Sequence, residues 1–352
     1  MTPFLTDLIP EEIAQTLELK PYQGKQIFRW LHQKCVFDFD AMTDISKDLR
    51  QYLKTTYACE EEAPNVAAQL RLDHMDASSH CGTRKALFRM RDGETIESVY
   101  LVDRDRVTLC LSSQVGCALN CSFCATGQSG FRRNLSPGEI VEQALHLLAG
   151  QPIGDRTPNI VYMGMGEPFR NYDAVMKSIR LLMREEGLHI GARKITVSTA
   201  GDVPGISRFA QEGWQVRLAV SLHAANDKLR SKLVPLNRAY PLAVLMEAVR
   251  EYVADTTRQI SFEWVLLDGV NDSTEHANEL ADLIAGLNAV VNLIPYNHVS
   301  DLPYKPSPPA TCEIFLDALA RRGIKATLRQ ERGQDIDAAC GQLRLRHPRH
   351  TP

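Results

Sequence analysis

No stretch of 18 or more apolar residues occurs in the 352-residue chain, so nothing in it has the length of a membrane-spanning helix. A basic start and an apolar leader are also missing from MTPFLTDLIPEE. With neither present, the cytoplasm is the expected compartment and no membrane partner is expected. No sign of charge dominates: 40 Lys and Arg stand against 43 Asp and Glu, a formal net charge of −3. A chain without a positive coat must hold any nucleic acid on local basic surface. The nine cysteines are odd in number, in a chain long enough to bury its own core. That argues against a secreted disulfide framework and for metal or redox chemistry. What remains is an ordinary globular composition, 44% hydrophobic and 24% charged, with material for two domains or one large α/β domain with an appendage.

Residues 1–65 predict a helical N-terminal domain, because EEIAQTLEL, GKQIFRWLHQK and ISKDLRQYLKTTY carry apolar residues near helical spacing. The acidic stretch CEEEAPN closes it. Residues 66–102 predict a β extension, with Asp92-Gly93 turning a hairpin between FRMR and ETIESVYL. From 103 to 335 the short apolar strands VTLCLSS, NIVYMG, KITVST, VRLAVSLH, ISFEWVLL and AVVNLIPY are mostly separated by helical segments. One helix opens on a capping box, Ser136 with Glu139, and has Pro137 at its first position. Two others, YDAVMKSIRLLMREEG and TCEIFLDALARRG, are expected to end at Gly187 and Gly323. Strands alternating with helices mean parallel βαβ units. Six of them predict an α/β fold, an incomplete (β/α)6 barrel carrying the helical domain and the hairpin extension. Residues 336–352 follow as a C-terminal segment.

In a parallel barrel the chemistry sits on loops that follow the strand C-termini. The loop after the first strand is VGCALNCSFCATGQ, which places Cys117, Cys121 and Cys124 at C-x3-C-x2-C spacing. GMGEP follows the second strand, STAG the third, and SLH and LIPYN end the fourth and sixth. Thiolates bind soft metals, and zinc and Fe–S clusters are the realistic choices. Structural zinc takes four protein ligands, whereas this loop offers three. A cubane held by three cysteines keeps one iron open, able to chelate the amino and carboxylate groups of a small molecule. Zinc with a remote fourth ligand, or cysteines that are simply buried, remain the ordinary alternatives.

The cysteine loop, with Phe123 before its last cysteine, and the strand-end GMGEP resemble the radical S-adenosylmethionine (SAM) superfamily. With SLHA, LDGVNDSTEHA, LIPYN, GQDIDAACGQL and FDAMTDISKDLR added, the chain resembles the RlmN/Cfr family of RNA adenine methyltransferases, from the QGKQIFRWLHQK helix to residue 343. The resemblance implies a 4Fe-4S cluster on Cys117, Cys121 and Cys124, two SAM molecules per turnover, and an electron donor such as flavodoxin. It implies methylation at C2 of adenosine, in 23S rRNA at the peptidyl-transferase centre and in tRNA next to the anticodon. Cys340 matches the methyl-accepting cysteine and Cys110 the resolving thiol, which would form a transient disulfide with it. Glu97 matches the proton acceptor. Gly166, Glu167, Ser198, Ser221, Leu222, His223 and Asn297 match SAM contacts. Cys35, Cys59, Cys81 and Cys312 match no family role.

Adenine C2 lies between two ring nitrogens and is electron-poor, and the methyl of SAM is an electrophile too. A carbon radical is the sensible way to join them. Tethering the carbon to the enzyme makes its addition effectively intramolecular, which can contribute about 7–11 kcal/mol. Taken alone, several of these residues have blander readings. Cys110 lies in a strand, where half of its orientations would pack it in the core. Glu97 alternates with Ile96, so it could face solvent. His223 could be a satisfied core or surface histidine, and a lone G-x-G is often only a turn.

Lys20, Lys25, Arg29 and Lys34 lie in a stretch without acids, and residues 321–352 carry eight Lys and Arg against three acids. These clusters suit phosphate contacts, and with Trp30 and Phe28 they favour an RNA-facing N-terminal domain over two solvated helix faces. Two other functions stay open: methylation at C8 of the same base, and a zinc-bearing RNA-binding module without catalysis. Nothing points to oligomerisation, so a monomer is the default.

Overall fold

The computed structural model describes residues 3–57, 67–104, 106–151, 157–299, 302–330 and 333–343. The CEEEAPN join, with Cys59, lies outside these, as does the basic tail beyond residue 343. Helices α1 (Pro10–Thr16), α2 (Pro21–His32) and α3 (Lys47–Tyr57) form the N-terminal part. Proline opens α1 and α2, where its missing N–H costs nothing. Their apolar stripes, with Ile13, Ile27, Phe28, Leu31, Leu49 and Leu53 in the core, turn inward.

The main sheet has ten strands: β1 (Leu70–Ala77), β2 (Arg84–Met90), β3 (Thr95–Asp103), β4 (Arg106–Cys110), then β7 (Asn159–Tyr162), β8 (Ile195–Thr199), β9 (Arg217–Ser221), β10 (Ile260–Leu266), β11 (Ala289–Pro295) and β12 (Ala326–Leu328), in that spatial order. Strands β5 (Gln114–Gly116) and β6 (Phe131–Asn134) form a separate small ribbon around the cysteine loop. From β4 to β12 every pairing is parallel. The connecting helices are α5 (Pro137–Leu148), α6 (Tyr172–Met183), α7 (Val203–Ala210), α8 (Asp227–Leu233), α9 (Leu242–Thr256), α10 (Thr274–Leu283) and α11 (Pro309–Arg321), with the single turn α4 (Ala125–Gln128) inside the cysteine loop. This is the α/β fold that the strand-and-helix rhythm predicts, and the capping box of α5 is present as read, with Ser136 Oγ accepting from Glu139 N and the Glu139 carboxylate from Ser136 N.

Three details differ from the expectation. A seventh parallel strand, β12, closes the series; at three residues it is too short to leave a periodic signal. The β extension is a three-stranded antiparallel meander that continues directly into the barrel sheet, β3 pairing β4. Gly323 does follow α11 in the left-handed conformation (φ 72°), but α6 stops at Met183, four residues before Gly187, whose φ is not positive. Gly187 serves packing instead: a Cβ there would stand 3.1 Å from Phe28 and 3.2 Å from His32 of α2.

That contact is one of several that dock the helical part on the barrel. Glu142 of α5 is fully buried and accepts from Thr6 Oγ1 at 2.6 Å, Gln69 N at 2.7 Å and Leu70 N at 2.8 Å. Burial still holds its carboxyl up, to about 8. Asp7 accepts from Gly138 N at the start of α5.

Candidate active site

Alternation along the strands decides what faces the barrel interior. Cys110 pairs with Val99 on one side and Val161 on the other, and Glu97 lies two residues from Val99, so all four share one face. Across the barrel Glu263 sits between Ser221 and Asn292 on the same inner face. The strand ends open into a cavity lined by Cys117, Cys121 and Cys124, by Gly166, Glu167, Ser198, Ser221 and His223, and by Glu263, Tyr296, Cys340 and Gly341. A small apolar cluster built from Phe123, Leu233, Val234, Val265 and Tyr296 walls part of it.

The loops after β4 and β7 are stitched together. Ser113 N and Gln114 N donate to Met165 O, Met165 N to Ser112 Oγ, and Glu167 N to Gln114 Oε1. This stitching explains the two glycines of GMGEP. A Cβ at Gly164 would stand 2.7 Å from the backbone of Leu111, and at Gly166 (φ 100°) 2.6 Å from Gln114. Glu167 is thereby aimed inward, nearly wholly buried, with Oε2 accepting from Ala200 N at 2.8 Å and Oε1 from Phe169 N at 3.1 Å. Burial outweighs these donors and pushes its carboxyl up to about 7.

Burial pushes the Cys117 thiol up to about 12, and it drives Cys121 well above the ordinary range, with Cys124 and Cys117 adding to the effect. Crowded, desolvated thiols of this kind ionise when a cation takes them. Among the described residues no three His, Cys, Asp or Glu side chains converge closely enough to hold a single ion. The three thiols border one cavity instead, a donor set that fits a multi-iron cluster with soft ligands.

Cys340 is exposed and opens onto the same cavity. Its neighbours anchor it: Ala125 N donates to Gly341 O at 2.8 Å, Thr126 Oγ1 to Leu343 O, and Gln342 Nε2 to His298 O. The thiol therefore rides on a backbone fastened to the cysteine loop. Cys110 is buried in β4, pushed up to about 12 by burial and then by the proximity of Cys340. All eight described cysteines are free, these two included, so the disulfide expected between Cys110 and Cys340 is not formed here. Arg329 at the end of β12 pairs with Glu263 at 3.2 Å and pulls the Cys340 thiol down against the stronger lift of burial.

Glu97 does not face solvent. It is buried, and its carboxylate lies 3.7 Å from the equally buried Lys85 ammonium, whose Nζ also donates to Asp337 O in the C-terminal segment. His223 has a left-handed backbone (φ 60°), its Nδ1 accepts from Val265 N at 3.0 Å, and burial drops its pKa to about 3. It is therefore neutral, with the proton on Nε2. Ser198 Oγ and Ser221 Oγ lie 3.4 Å apart at neighbouring strand ends. Leu222 is core, its N–H donating to Glu263 O and its carbonyl accepting from Arg230 Nε. Asn297 stands apart from the cavity lining, holding the C-terminal segment through Cys340 O and Gln334 Nε2.

Three site residues escaped sequence reasoning. Glu263 left a signal, an acid inside the apolar strand ISFEWVLL. Arg230 and Arg329 left none, each being one basic residue among several.

The comparisons agree with this geometry. The pattern of the Radical SAM superfamily matches residues 111–283, and that of the ribosomal RNA large subunit methyltransferase N-terminal domain matches residues 10–59. The chain is similar to a probable dual-specificity RNA methyltransferase RlmN from Moorella thermoacetica, 47% identical over 350 residues with 97% of each chain covered. A second such protein, from Heliobacterium modesticaldum, is 48% identical across 97% of this chain and 89% of its own. Among solved structures, a radical SAM methyltransferase from Sphaerobacter thermophilus superposes with a TM-score of 0.91 at 48% identity, covering 97% of this chain and 99% of that one.

Proposed function

The chain belongs to the RlmN family of radical SAM RNA methyltransferases, and on that premise we propose that it methylates C2 of adenosine in 23S rRNA and in tRNA through a methylated Cys340. As a radical SAM enzyme it uses a 4Fe-4S cluster and SAM, which sets aside the zinc-bearing binding module. The observation that carries the finer reading is the shared cavity: one exposed thiol, Cys340, opens into the space bordered by the three-cysteine loop, with a second thiol, Cys110, close enough to raise its own pKa through Cys340.

Cys117, Cys121 and Cys124, which all border the cavity, would hold the cluster. When bound, it supplies the electron that splits SAM into methionine and a 5′-deoxyadenosyl radical. Glu167 would accept a hydrogen bond from the SAM amino group. Ser198, Ser221, Gly166 and neutral His223 line the same space, while Leu222 and Asn297 would act through the backbone around it. Cys340, as thiolate, takes a methyl by displacement from one SAM. The 5′-deoxyadenosyl radical would take a hydrogen atom from the S-methyl group, and the resulting methylene radical would add to C2, bonding the base to Cys340; the surplus electron would pass back to the group that supplied it as the C2 proton leaves. Glu97 would receive the C2 proton, its charge held by Lys85. Cys110, as thiolate, would then attack the Cys340 sulfur; the bond from that sulfur to the methylene carbon breaks, the carbon takes a proton to become the methyl, and a disulfide closes only at that stage.

A flavodoxin-type donor would supply electrons, and one chain contributes every residue named, so a monomer suffices. The exposed Lys20, Arg29 and Lys34 of the helical part would contact phosphates. Mass spectrometry of digested RNA tests the reading. Cys340→Ala should abolish methylation, and Cys110→Ala should accumulate RNA bonded to protein. A methyl found at C8 instead of C2, or methylation persisting in Cys340→Ala, would refute it.

A further inference from the structure

Arg230 of α8 is fully buried, one of the largest side chains with no exposure at all. A buried guanidinium is expensive unless its charge and its donors are matched. Its donors are matched. Nε gives to Leu222 O at 3.1 Å, Nη1 to Asn237 Oδ1 at 2.9 Å, and Nη2 to Ala200 O at 2.7 Å and Ser221 O at 3.3 Å. Every one of these acceptors is neutral. Among the described residues no carboxylate lies within ion-pair distance of it. The nearby Asp227 spends Oδ1 on Asn237 Nδ2 and Leu242 N, so Asn237 stands as a neutral spacer between acid and guanidinium.

The location of this unmatched charge is the informative part. Ala200 and Ser221, whose carbonyls Nη2 grips, both line the cavity that the three cysteines border. Helix α8 also touches the cysteine loop directly, with Ser122 N donating to Leu233 O at 3.0 Å. The guanidinium thus sits one layer behind the wall of the cluster site.

We propose that Arg230 is a positioning residue with two effects: it clamps the ends of β8 and β9 that shape the SAM site, and it supplies the buried positive charge that faces the thiolate-bound cluster and raises its reduction potential. The second effect follows from charge. Three thiolates on a 4Fe-4S core leave a net negative cluster, and one added electron makes it more negative. A fixed cation nearby stabilises the reduced form more than the oxidised form. The inference rests on the reading that Cys117, Cys121 and Cys124 hold the cluster.

The test is an EPR-monitored redox titration of full-length, anaerobically reconstituted enzyme, with iron counted in each sample and no RNA present. Arg230→Met removes the charge at similar volume. The exchange Asp227→Asn with Asn237→Asp moves a carboxylate onto Nη1 at unchanged net charge, so it neutralises the guanidinium without removing it. At wild-type iron content both should shift the midpoint to more negative potential, the equilibrium constant for reduction falling about tenfold, or about 59 mV for a one-electron couple. Arg230→Lys should stay near wild type. An unchanged potential in the exchange variant, or a Lys variant shifted as far as Met, overturns the proposal. If Arg230→Met fails to fold, the exchange variant decides alone. Failure of the cluster assignment would look different: Cys121→Ala would keep its full iron.

Discussion

Replacing Glu167 with Gln should make the protein more stable and a poorer binder of SAM. In the folded state this carboxyl titrates near 7, against 4.5 for the free group, because burial penalises its charge. A folded pKa raised above the unfolded one means that the folded state holds a proton which the unfolded chain has already released. The stabilisation is complete below about pH 4.5, declines as pH rises toward 7, and is gone above that. The gap corresponds to about 3 kcal/mol. Glutamine keeps the shape, cannot ionise, and escapes the decline. At pH 5 the two proteins should differ by no more than about 1 kcal/mol, since protonated Glu and Gln both leave one backbone donor, Ala200 N or Phe169 N, imperfectly met. At pH 8 the variant should be more stable by up to about 3 kcal/mol.

Binding should move the other way. A charged acceptor contributes about 1.5–3 kcal/mol to a hydrogen bond, so losing it weakens SAM by about 10- to 150-fold. Urea unfolding of the apoprotein from pH 5 to 8 reads the first effect, and equilibrium dialysis of SAM on iron-matched holoprotein reads the second. Parallel stability curves for the two proteins would show that Glu167 is not the titrating group. Wild-type SAM affinity in the variant would remove it from the binding site.

Ser136→Ala removes the side-chain cap of α5, where Oγ accepts from Glu139 N at 3.1 Å, and should lower unfolding free energy by about 1 kcal/mol in urea without altering SAM affinity. Gly187→Leu forces a side chain against Phe28 and His32, which should cost about 1–3 kcal/mol by overpacking. Early proteolytic release of the helical N-terminal part would accompany it, and unchanged resistance would show that this contact does not dock the two parts.

Strand and helix periods carried the architecture; Cys340 lines the cavity but was legible only through the family resemblance, whereas the loop positions carried most of the rest: Cys117, Cys121, Cys124, Gly166, Glu167, Ser198, Ser221 and His223 all line it. Such residues were legible because each interrupts an apolar strand end with a chemistry that packing alone does not ask for. The failures have physical causes. Strand β12 is held by pairing to β11 and not by its own three residues. Gly187 looks like a helix terminator, yet its smallness serves a contact 155 residues away in sequence, with His32. Glu97 was readable as exposed because its partner Lys85 lies on another strand, and burial of a charge pair leaves no local pattern. Arg230 sits in DKLRSKL, where any of three basic residues could have turned inward.

The two reactive thiols are held in unlike surroundings, and on the proposed mechanism the difference sets their order. In the presence of a two-electron oxidant, two thiolates would be closed into a disulfide, which would consume Cys340 before it received a methyl. Burial keeps Cys110 protonated, near 12, and a thiol in that state is a poor nucleophile. Burial raises the Cys340 thiol as well, but Cys340 faces the open cavity and the Arg329 guanidinium beside it pulls against that lift. The exposed sulfur is therefore the one prepared to meet SAM, and the buried one stays idle until a proton is taken from it. The same reasoning gives Glu263 a purpose that its burial alone would not: by pairing with Arg329 at 3.2 Å, it fixes the cation next to Cys340 rather than leaving it free to swing into solvent.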